Sequence, residues 1–259
     1  MRKIEMMLGW ILLAMVLLTA CSGDTDGLDM KEPKLSSDQQ FKALVIGTGN
    51  PLLVGPEEDS EAYTSSDRIY VILAGAELLD EEGKPMDAEQ FKLGDILRIT
   101  YDGTIRESYP AQIGAHRIEY LGRNLELDGY MAVIDDIYQE DSGLNGDIKM
   151  IAFDTSEWTG LTEIEKELVL NWAKEKYELD TLQATFQELE EQGLIDKKAL
   201  YFPEGILIEL KNVEWNEKEA TLKCSVSKWR GGLGAIGSDV KATYKGGSFK
   251  LSKSNMWIS

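Results

Sequence analysis

The stretch GDILRITYDG, residues 94–103, decides the fold of the first half of this chain. In residues 97–101 apolar and polar side chains alternate, and a period of two is typical of a half-buried β-strand. The Asp102-Gly103 pair that follows favours a tight turn, because both central positions of such a turn take positive φ. We therefore predict a β-hairpin whose second strand runs over residues 104–106.

Further strand-like segments surround this hairpin. Residues 41–46, 52–54 and 68–73 are apolar and rich in β-branched side chains, residues 116–121 supply a last strand, and turn-forming residues separate the segments. Several short strands in so short a stretch favour a small, closed or nearly closed barrel. The sequence thus predicts an OB-like β domain over residues 41–123.

The same stretch carries a family resemblance. Residues 94–103 continue as TIRESYPA, residues 104–111, and the combined run resembles the YobA-like domain, a small uncharacterised β domain of secreted and lipoprotein chains in Bacillus-type bacteria. The resemblance covers only part of the chain. It implies a β fold and a Gram-positive surface setting, and it implies no activity.

The second half of the chain begins with a change of period. Apolar residues from Tyr130 to Tyr138 recur at spacings of three and four, which predicts a helix, with Asp128 as its N-cap. Capping-box patterns at residues 162–165 and 185–188 predict the starts of two further helices.

Alternating segments then follow as far as the C-terminus. Residues 206–210, 220–226 and 240–251 read as strands of an antiparallel meander. Helices followed by such a meander predict an α+β domain over residues 124–259. The order of its elements resembles that of cystatin-like and NTF2-like folds, in which helices pack on a curved sheet.

The N-terminus reads as an export signal. Arg2 and Lys3 precede an apolar run over residues 6–18, which is shorter than the roughly 20 residues needed to span a bilayer. Residues 18–21, LTAC, resemble the lipobox of bacterial lipoproteins. The resemblance implies removal of residues 1–20, acylation of Cys21 with fatty chains such as palmitate, and anchoring at the outer face of the cytoplasmic membrane. Residues 21–40 then read as a flexible tether.

Composition limits the partners. The formal net charge is −19, from 46 acidic and 27 basic residues, and nucleic acid is a poor partner for such a chain because phosphate binding needs a basic surface. The sequence holds two cysteines. If Cys21 is acylated, Cys224 has no intramolecular partner, and its place on the apolar side of a strand predicts a buried thiol.

Several motifs that suggest chemistry lack their context. Residues 232–237 match G-x-G-x-x-G, but a strand pattern follows rather than the helix that dinucleotide binding requires. Residues 141–146 resemble the start of a calcium loop, but Gly143 and Ala152 stand where ligands belong. His116, the single histidine, has no marked serine partner. We therefore predict no catalytic residue, no metal site and no cofactor.

Three residues remain as candidate ligand contacts. They are Tyr109, Trp229 and Arg230, and for both aromatic residues ordinary packing is the competing interpretation. The sequence favours a non-catalytic binding or accessory module with an extracellular protein or cell-wall partner. The alternative is a carboxylate-dependent enzyme acting on cell-wall or extracellular material, which a pocket with two converging acids of unequal ionisation would favour.

Overall fold

The computed structural model describes residues 38–259. The predicted signal peptide, the lipobox with Cys21, and most of the predicted tether lie outside the described residues. The first strand begins at Gln39, so residues 39 and 40 belong to a strand rather than to the tether.

The first sheet closes into a barrel. Its elements are β1 (Gln39–Gly47), β2 (Leu52–Pro56), α1 (Glu61–Ser65), β3 (Ile69–Ile72), β4 (Glu77–Leu79), β5 (Asp95–Tyr101) and β6 (Ala111–Arg123). Strands β3, β2, β1, β5 and β6 are neighbours in that order, and a parallel pairing of β3 with β6 joins the two ends. Closure leaves these five strands without a free edge, while β4 pairs with the far end of β6.

The alternation seen in the sequence fills the barrel. Phe41, Ala43 and Val45 of β1 point inward and are buried with Leu97 and Ile99 of β5. The side chains between them on β1, Leu44 and Ile46, point outward and pack against the core of the second sheet. Strand β1 therefore contributes to two cores, one on each of its faces.

The predicted hairpin at Asp102-Gly103 is wrong in detail. Strand β5 ends at Tyr101, which pairs with Ala115, and only Arg106 forms a bridge, to Gln112, within the intervening loop. The carboxylate of Asp102 accepts a hydrogen bond from the Thr104 backbone N–H at 2.8 Å. This side-chain turn competes with the hairpin turn and directs the chain into a longer loop.

Helices and strands alternate in the second part. The elements are α2 (Leu125–Gln139), β7 (Met150–Asp154), α3 (Glu163–Tyr177), β8 (Asp180–Gln183), α4 (Phe186–Glu191), β9 (Gly205–Asn216), β10 (Thr221–Gly231), β11 (Gly234–Lys245) and β12 (Ser248–Ile258). The strands form one sheet in the order β12, β11, β10, β9, β7, β8. The predicted mixed α+β architecture is confirmed at this level.

The second sheet is mixed rather than purely antiparallel. Strands β9 to β12 form the predicted meander, but β7 runs parallel to both β8 and β9. Strand β8 was not expected, because its sequence DTLQ has no apolar alternation and lies at the exposed edge of the sheet. Parallel neighbours need long crossovers, and α3 and the segment containing α4 provide them.

Helix starts are only partly as predicted. Thr162 and Thr185 form capping boxes with Glu165 and Glu188, as expected. The N-cap of α2 is Asn124 rather than Asp128, because Asn124 Oδ1 accepts the Leu127 N–H at 3.0 Å. Asp128 instead accepts two hydrogen bonds from the Arg123 guanidinium.

Arg123 joins the two sheets at the point where the chain passes from one to the other. Its guanidinium also donates to the Leu93 carbonyl at 2.8 Å and to Asp95 at 2.9 Å. Asp95 is buried, so this charge has its partner inside the protein. Helices α2 and α3 then cover one face of the second sheet, and α4 covers a smaller apolar cluster on the opposite face.

Candidate functional site

Helix α3 begins directly against the barrel. The Ile164 side chain rests on Gly55 of β2, where a Cβ atom would lie 3.2 Å from Ile164 Cδ1 and from Ile164 Cγ2. A Cβ atom at position 55 would require the Ile164 side chain to shift by a few tenths of an ångström, so glycine permits the close approach. Two depressions open along this seam, one on each side of Ile164.

The larger depression is a cleft of about 730 Å³. Its apolar surface comes from Leu44 of β1, Pro56 of β2, Ile96 of β5 and Ile164 of α3. Ligand-binding clefts typically have volumes of about 300–1,000 Å³ and combine an apolar lining with a few polar groups. The seam therefore holds a depression of suitable size and character for a ligand.

Acidic side chains surround this cleft. Its lining contains six carboxylates and one ammonium, a net excess of five negative charges, from Glu57, Glu58, Asp59, Asp67, Glu163, Glu165 and Lys42. Lys42 pairs with Glu57 at 3.5 Å, and Glu163 pairs with Lys166 outside the cleft at 2.7 Å. Among residues 38–259, no ion pair involves Glu58, Asp59 or Asp67.

Glu165 connects the starts of α2 and α3. Its carboxylate accepts hydrogen bonds from the Thr162 N–H at 2.8 Å, the Thr162 hydroxyl at 2.9 Å and the Asn124 amide at 2.6 Å. Because Asn124 caps α2 and Thr162 caps α3, one carboxylate fixes both helix ends at the rim of the cleft.

A second carboxyl group lies behind this rim. Burial, and then the charge of Glu165, raise the pKa of Glu126 to about 7. A Cβ atom on Gly160 would lie 2.1 Å from Glu126 Oε1, so this glycine leaves the space that the carboxyl group occupies. Glu126 therefore stays protonated toward neutral pH, and its neighbour Glu165 is one cause of that shift.

Two buried donors belong to the same region. In the part of the chain that the structure describes, neither the Tyr130 hydroxyl nor the Trp158 indole N–H has a hydrogen-bond partner. The two rings pack together with centroids 5.2 Å apart. Burial, followed by the charge of Glu126, raises the pKa of Tyr130 above its ordinary value, so its hydroxyl stays protonated. The surroundings of Glu126 are therefore poorly solvated.

Tyr109 borders the smaller depression on the other side of Ile164. Its hydroxyl lies 3.4 Å from Arg68 Nη1, and Arg68 also forms an ion pair with Glu167 of α3. The Tyr109 side chain is 70% exposed. Of the three candidate ligand contacts in the sequence, Tyr109 is the one that lies at the seam.

Trp229 and Arg230 lie elsewhere and have structural contacts. The Trp229 ring packs edge-on against Phe186 of α4, with centroids 5.0 Å apart. The Arg230 guanidinium donates to the backbone carbonyls of Leu144 at 3.0 Å and Gly146 at 2.6 Å. The structure thus places both residues in the packing around the second sheet and does not bring them to Tyr109.

The loop that resembles a calcium site surrounds a lysine instead. Lys228 is completely buried, and its ammonium donates to the carbonyls of Tyr138 at 3.0 Å, Asp141 at 3.2 Å and Glu140, and to Asn145 Oδ1 at 3.1 Å. Burial lowers the pKa of Lys228 to about 8, against the opposing effect of Asp141 and Glu140. The end of α2 and the following loop therefore enclose a cation that belongs to the chain itself.

The remaining sequence motifs have structural roles or lie on the surface. Residues 232 and 233 of the glycine-rich run form the turn between β10 and β11, where Gly231 pairs with Gly234, and residues 234–237 begin β11. Burial, and then Asp239, raise the pKa of the Cys224 thiol to about 12, which disfavours the reactive thiolate. His116 lies 3.3 Å from Asp38 on the surface.

Residues 38–259 bring no three His, Cys, Asp or Glu side chains into an arrangement that could hold a metal ion. In the same residues, no helix has both the length and the apolar character needed to cross a membrane.

The sequence did not single out the cleft, although parts of it were visible. The acidic loop at residues 57–61 and the capping box at residues 162–165 were both recognisable, as a charged loop and a helix start. What joins them is the contact between Gly55 and Ile164, which lie more than a hundred residues apart and carry no local signal. Comparison of the sequence with protein-family models finds no match, and comparison with curated proteins likewise finds none.

Proposed function

We propose that this chain is a membrane-anchored, exported binding module without catalytic activity, and that the cleft beside α3 is its ligand site. The observation that carries the proposal is the cleft itself, a partly apolar depression of about 730 Å³ in which Glu58, Asp59 and Asp67 form no ion pair within the described residues. Concave sites with a few unpaired polar groups are the usual places for ligands.

The order of the strands supports an OB-like description of the barrel. Counted along the chain without β4, the five barrel strands are neighbours in the order 1-2-3-5-4-1, with a parallel contact between the third and fifth. OB-type barrels bind ligands on one face and through adjoining loops. In the second sheet, the meander covered by α2 and α3 supports a cystatin- or NTF2-like description, and the parallel strands β7 and β8 depart from it.

The location follows from the resemblance of residues 18–21 to a lipobox. Two acyl chains on Cys21 would hold the chain stably at the outer face of the cytoplasmic membrane of a Gram-positive cell, as the YobA-like resemblance also implies. Growth with a labelled fatty acid such as palmitate tests this location. We expect label on the wild-type chain and none on Cys21→Ala, and an unlabelled wild type would contradict the anchor.

Site-directed photo-crosslinking on intact cells tests the cleft. A photoreactive phenylalanine analogue replaces Tyr63, which lines the cleft, and in a matched control replaces Glu82 on a distant loop of the barrel. We expect an adduct of defined mass from position 63 and none from position 82. Equal adducts from both positions, or none from position 63, would contradict a ligand site in the cleft.

A second candidate function rests on Glu126 and Glu165. Two neighbouring acids, of which Glu126 stays protonated toward neutral pH, are the pairing that carboxylate-dependent hydrolysis of cell-wall or extracellular polymers uses. If it operates, Glu126→Gln abolishes release of fragments from purified cell wall, the exposed Glu175→Gln does not, and wild-type activity falls as the pH rises through about 7. Absence of any fragment release from the wild type leaves the binding module as the function.

A further inference from the structure

The cleft combines two kinds of surface that one type of ligand group would match. Leu44, Pro56, Ile96 and Ile164 supply apolar area, while the acids of the loop at residues 57–67 lie beside it. A lysine side chain has the same two parts, because four methylene groups carry a terminal ammonium. Its stem would cover the apolar area while the ammonium reached the carboxylates.

The cations within the described part of the chain do not neutralise the carboxylates of the cleft. Lys42 is already paired with Glu57, and Arg68, next to Asp67, is paired with Glu167 of α3. Glu58 and Asp59 are exposed, whereas Asp67 is half-buried, so a ligand would meet charges at two depths. The charge of the cleft is therefore complementary to an external cation.

A bare metal ion fits this arrangement poorly. Residues 38–259 offer no converging group of three ligating side chains, and a metal ion would leave the apolar part of the cleft uncovered. The excess of negative charge in the cleft would repel phosphate-bearing partners. A cationic ligand with an apolar stem is the remaining match.

We propose that the cleft binds an extended peptide segment that carries lysine side chains. This inference rests on the proposed function and specifies the ligand of the same site. The stems contact the apolar area between β1 and α3, and the ammonium groups pair with Glu58, Asp59 and Asp67. Mutual attraction of opposite charge also favours rapid association.

A binding measurement with matched variants tests this inference. The probe is Ac-Lys-Ala-Lys-Ala-Lys-NH2, whose binding is followed by titration calorimetry, and the protein is the purified full chain in an uncharged detergent. The test variant carries Glu58→Gln, Asp59→Asn and Asp67→Asn. The control carries Glu82→Gln, Glu89→Gln and Glu107→Gln, which removes the same charge from exposed positions outside the cleft.

We expect saturable binding to the wild type, an increase in Kd of about tenfold or more for the cleft variant, and little change for the control, because only the first loses direct ion pairs. A similar loss in both variants would show attraction by net charge alone and would overturn the inference. Equal binding of a norleucine-containing peptide would overturn the role of the ammonium groups.

Two other results would also reject the peptide assignment. Absence of binding to the wild type, with an adduct at position 63 still formed in cells, would leave the ligand site in place and reject its proposed ligand. Displacement of the peptide by spermidine at similar concentrations would assign the cleft to small amines rather than to peptides.

Discussion

The cradle around Lys228 and the acidic cleft both gather oxygen atoms that favour a positive charge. In the cradle the chain supplies that charge, and four oxygen atoms surround a completely buried ammonium. In the cleft the described chain supplies one lysine against six carboxylates. The difference separates a structural feature from a candidate site, since oxygen atoms with an internal cation are satisfied and those without one remain available.

The largest effect should come from breaking the cradle. Lys228→Met keeps the volume of the side chain but leaves buried carbonyl groups at the end of α2 without a donor, so we expect a loss of roughly 3–5 kcal/mol in the free energy of unfolding. Urea unfolding followed by tryptophan fluorescence measures it. Lys250→Met on exposed β12 is the control, with a change within about 0.5 kcal/mol. Equal stability of the two variants would show that the cradle is dispensable.

Arg123 is a second internal cation and should rank next. Arg123→Met leaves the buried Asp95 and the half-buried Asp128 without their partner, and we expect a loss of roughly 2–4 kcal/mol. Thermal unfolding, with the exposed Arg106→Met as control, checks this value. Separate unfolding transitions for the two sheets would also reveal whether Arg123 couples them. An unchanged Tm would contradict the role of Arg123 in holding the two sheets together.

Glu126 should produce a smaller effect that depends on pH. Its pKa of about 7 in the folded protein lies above the ordinary 4.5, so the folded state holds a proton that the unfolded state releases first. Its contribution to stability is therefore complete below pH of about 4.5 and is lost as the pH rises through about 7. Allowing for partial exposure, Glu126→Gln should stabilise the protein at pH 8 by about 1–2 kcal/mol.

The control for this prediction is Glu175→Gln, which removes the same charge from an exposed position of α3. Urea unfolding at several pH values between 4.5 and 8 compares the two variants with the wild type. The gain for Glu126→Gln should appear above pH 5 and grow toward pH 8, whereas the control should follow the wild type. A gain that is equal in both variants would point to relief of overall negative charge.

The smallest change in stability should come from the cleft. Glu58 and Asp59 are exposed, and no ion pair within residues 38–259 holds them or Asp67. The triple variant Glu58→Gln, Asp59→Asn, Asp67→Asn should therefore change the free energy of unfolding by less than about 0.5 kcal/mol. Urea unfolding measures it. A loss of 2 kcal/mol or more would mean that the carboxylates support the fold and are not free for a ligand.

Local sequence patterns predicted which segments form helices or strands better than they predicted which strands pair with each other. The alternation in β5 and β10 and the capping boxes at Thr162 and Thr185 depend on neighbouring residues, so they were readable. Lys228 continues the inward-facing series of Leu222, Cys224 and Val226, and that register was the available sign of its burial. The predicted series of inward-facing residues ended at Val226, because a lysine in a sequence usually indicates an exposed position.

The candidate site depends on contacts between distant residues, which a single sequence does not record. The predicted N-cap at Asp128 left Glu126 outside the helix, and its raised pKa arises from burial and then from the charge of Glu165 on another helix. Strand β8 lacked an apolar pattern because its side chains are exposed or only partly buried. At Asp102, a hydrogen bond to the side chain favours a longer loop over the predicted hairpin turn.

The most direct test of the cleft as the ligand site is a backbone amide NMR titration of the full chain with the lysine peptide. The account predicts saturable shifts concentrated at residues 57–67 and 162–165, on the two sides of the contact between Gly55 and Ile164. The remaining described amides, including those around the Lys228 cradle, should stay unchanged. Shifts that fall mainly on the outer face of β10 to β12, or that rise without saturation across the surface, would contradict it.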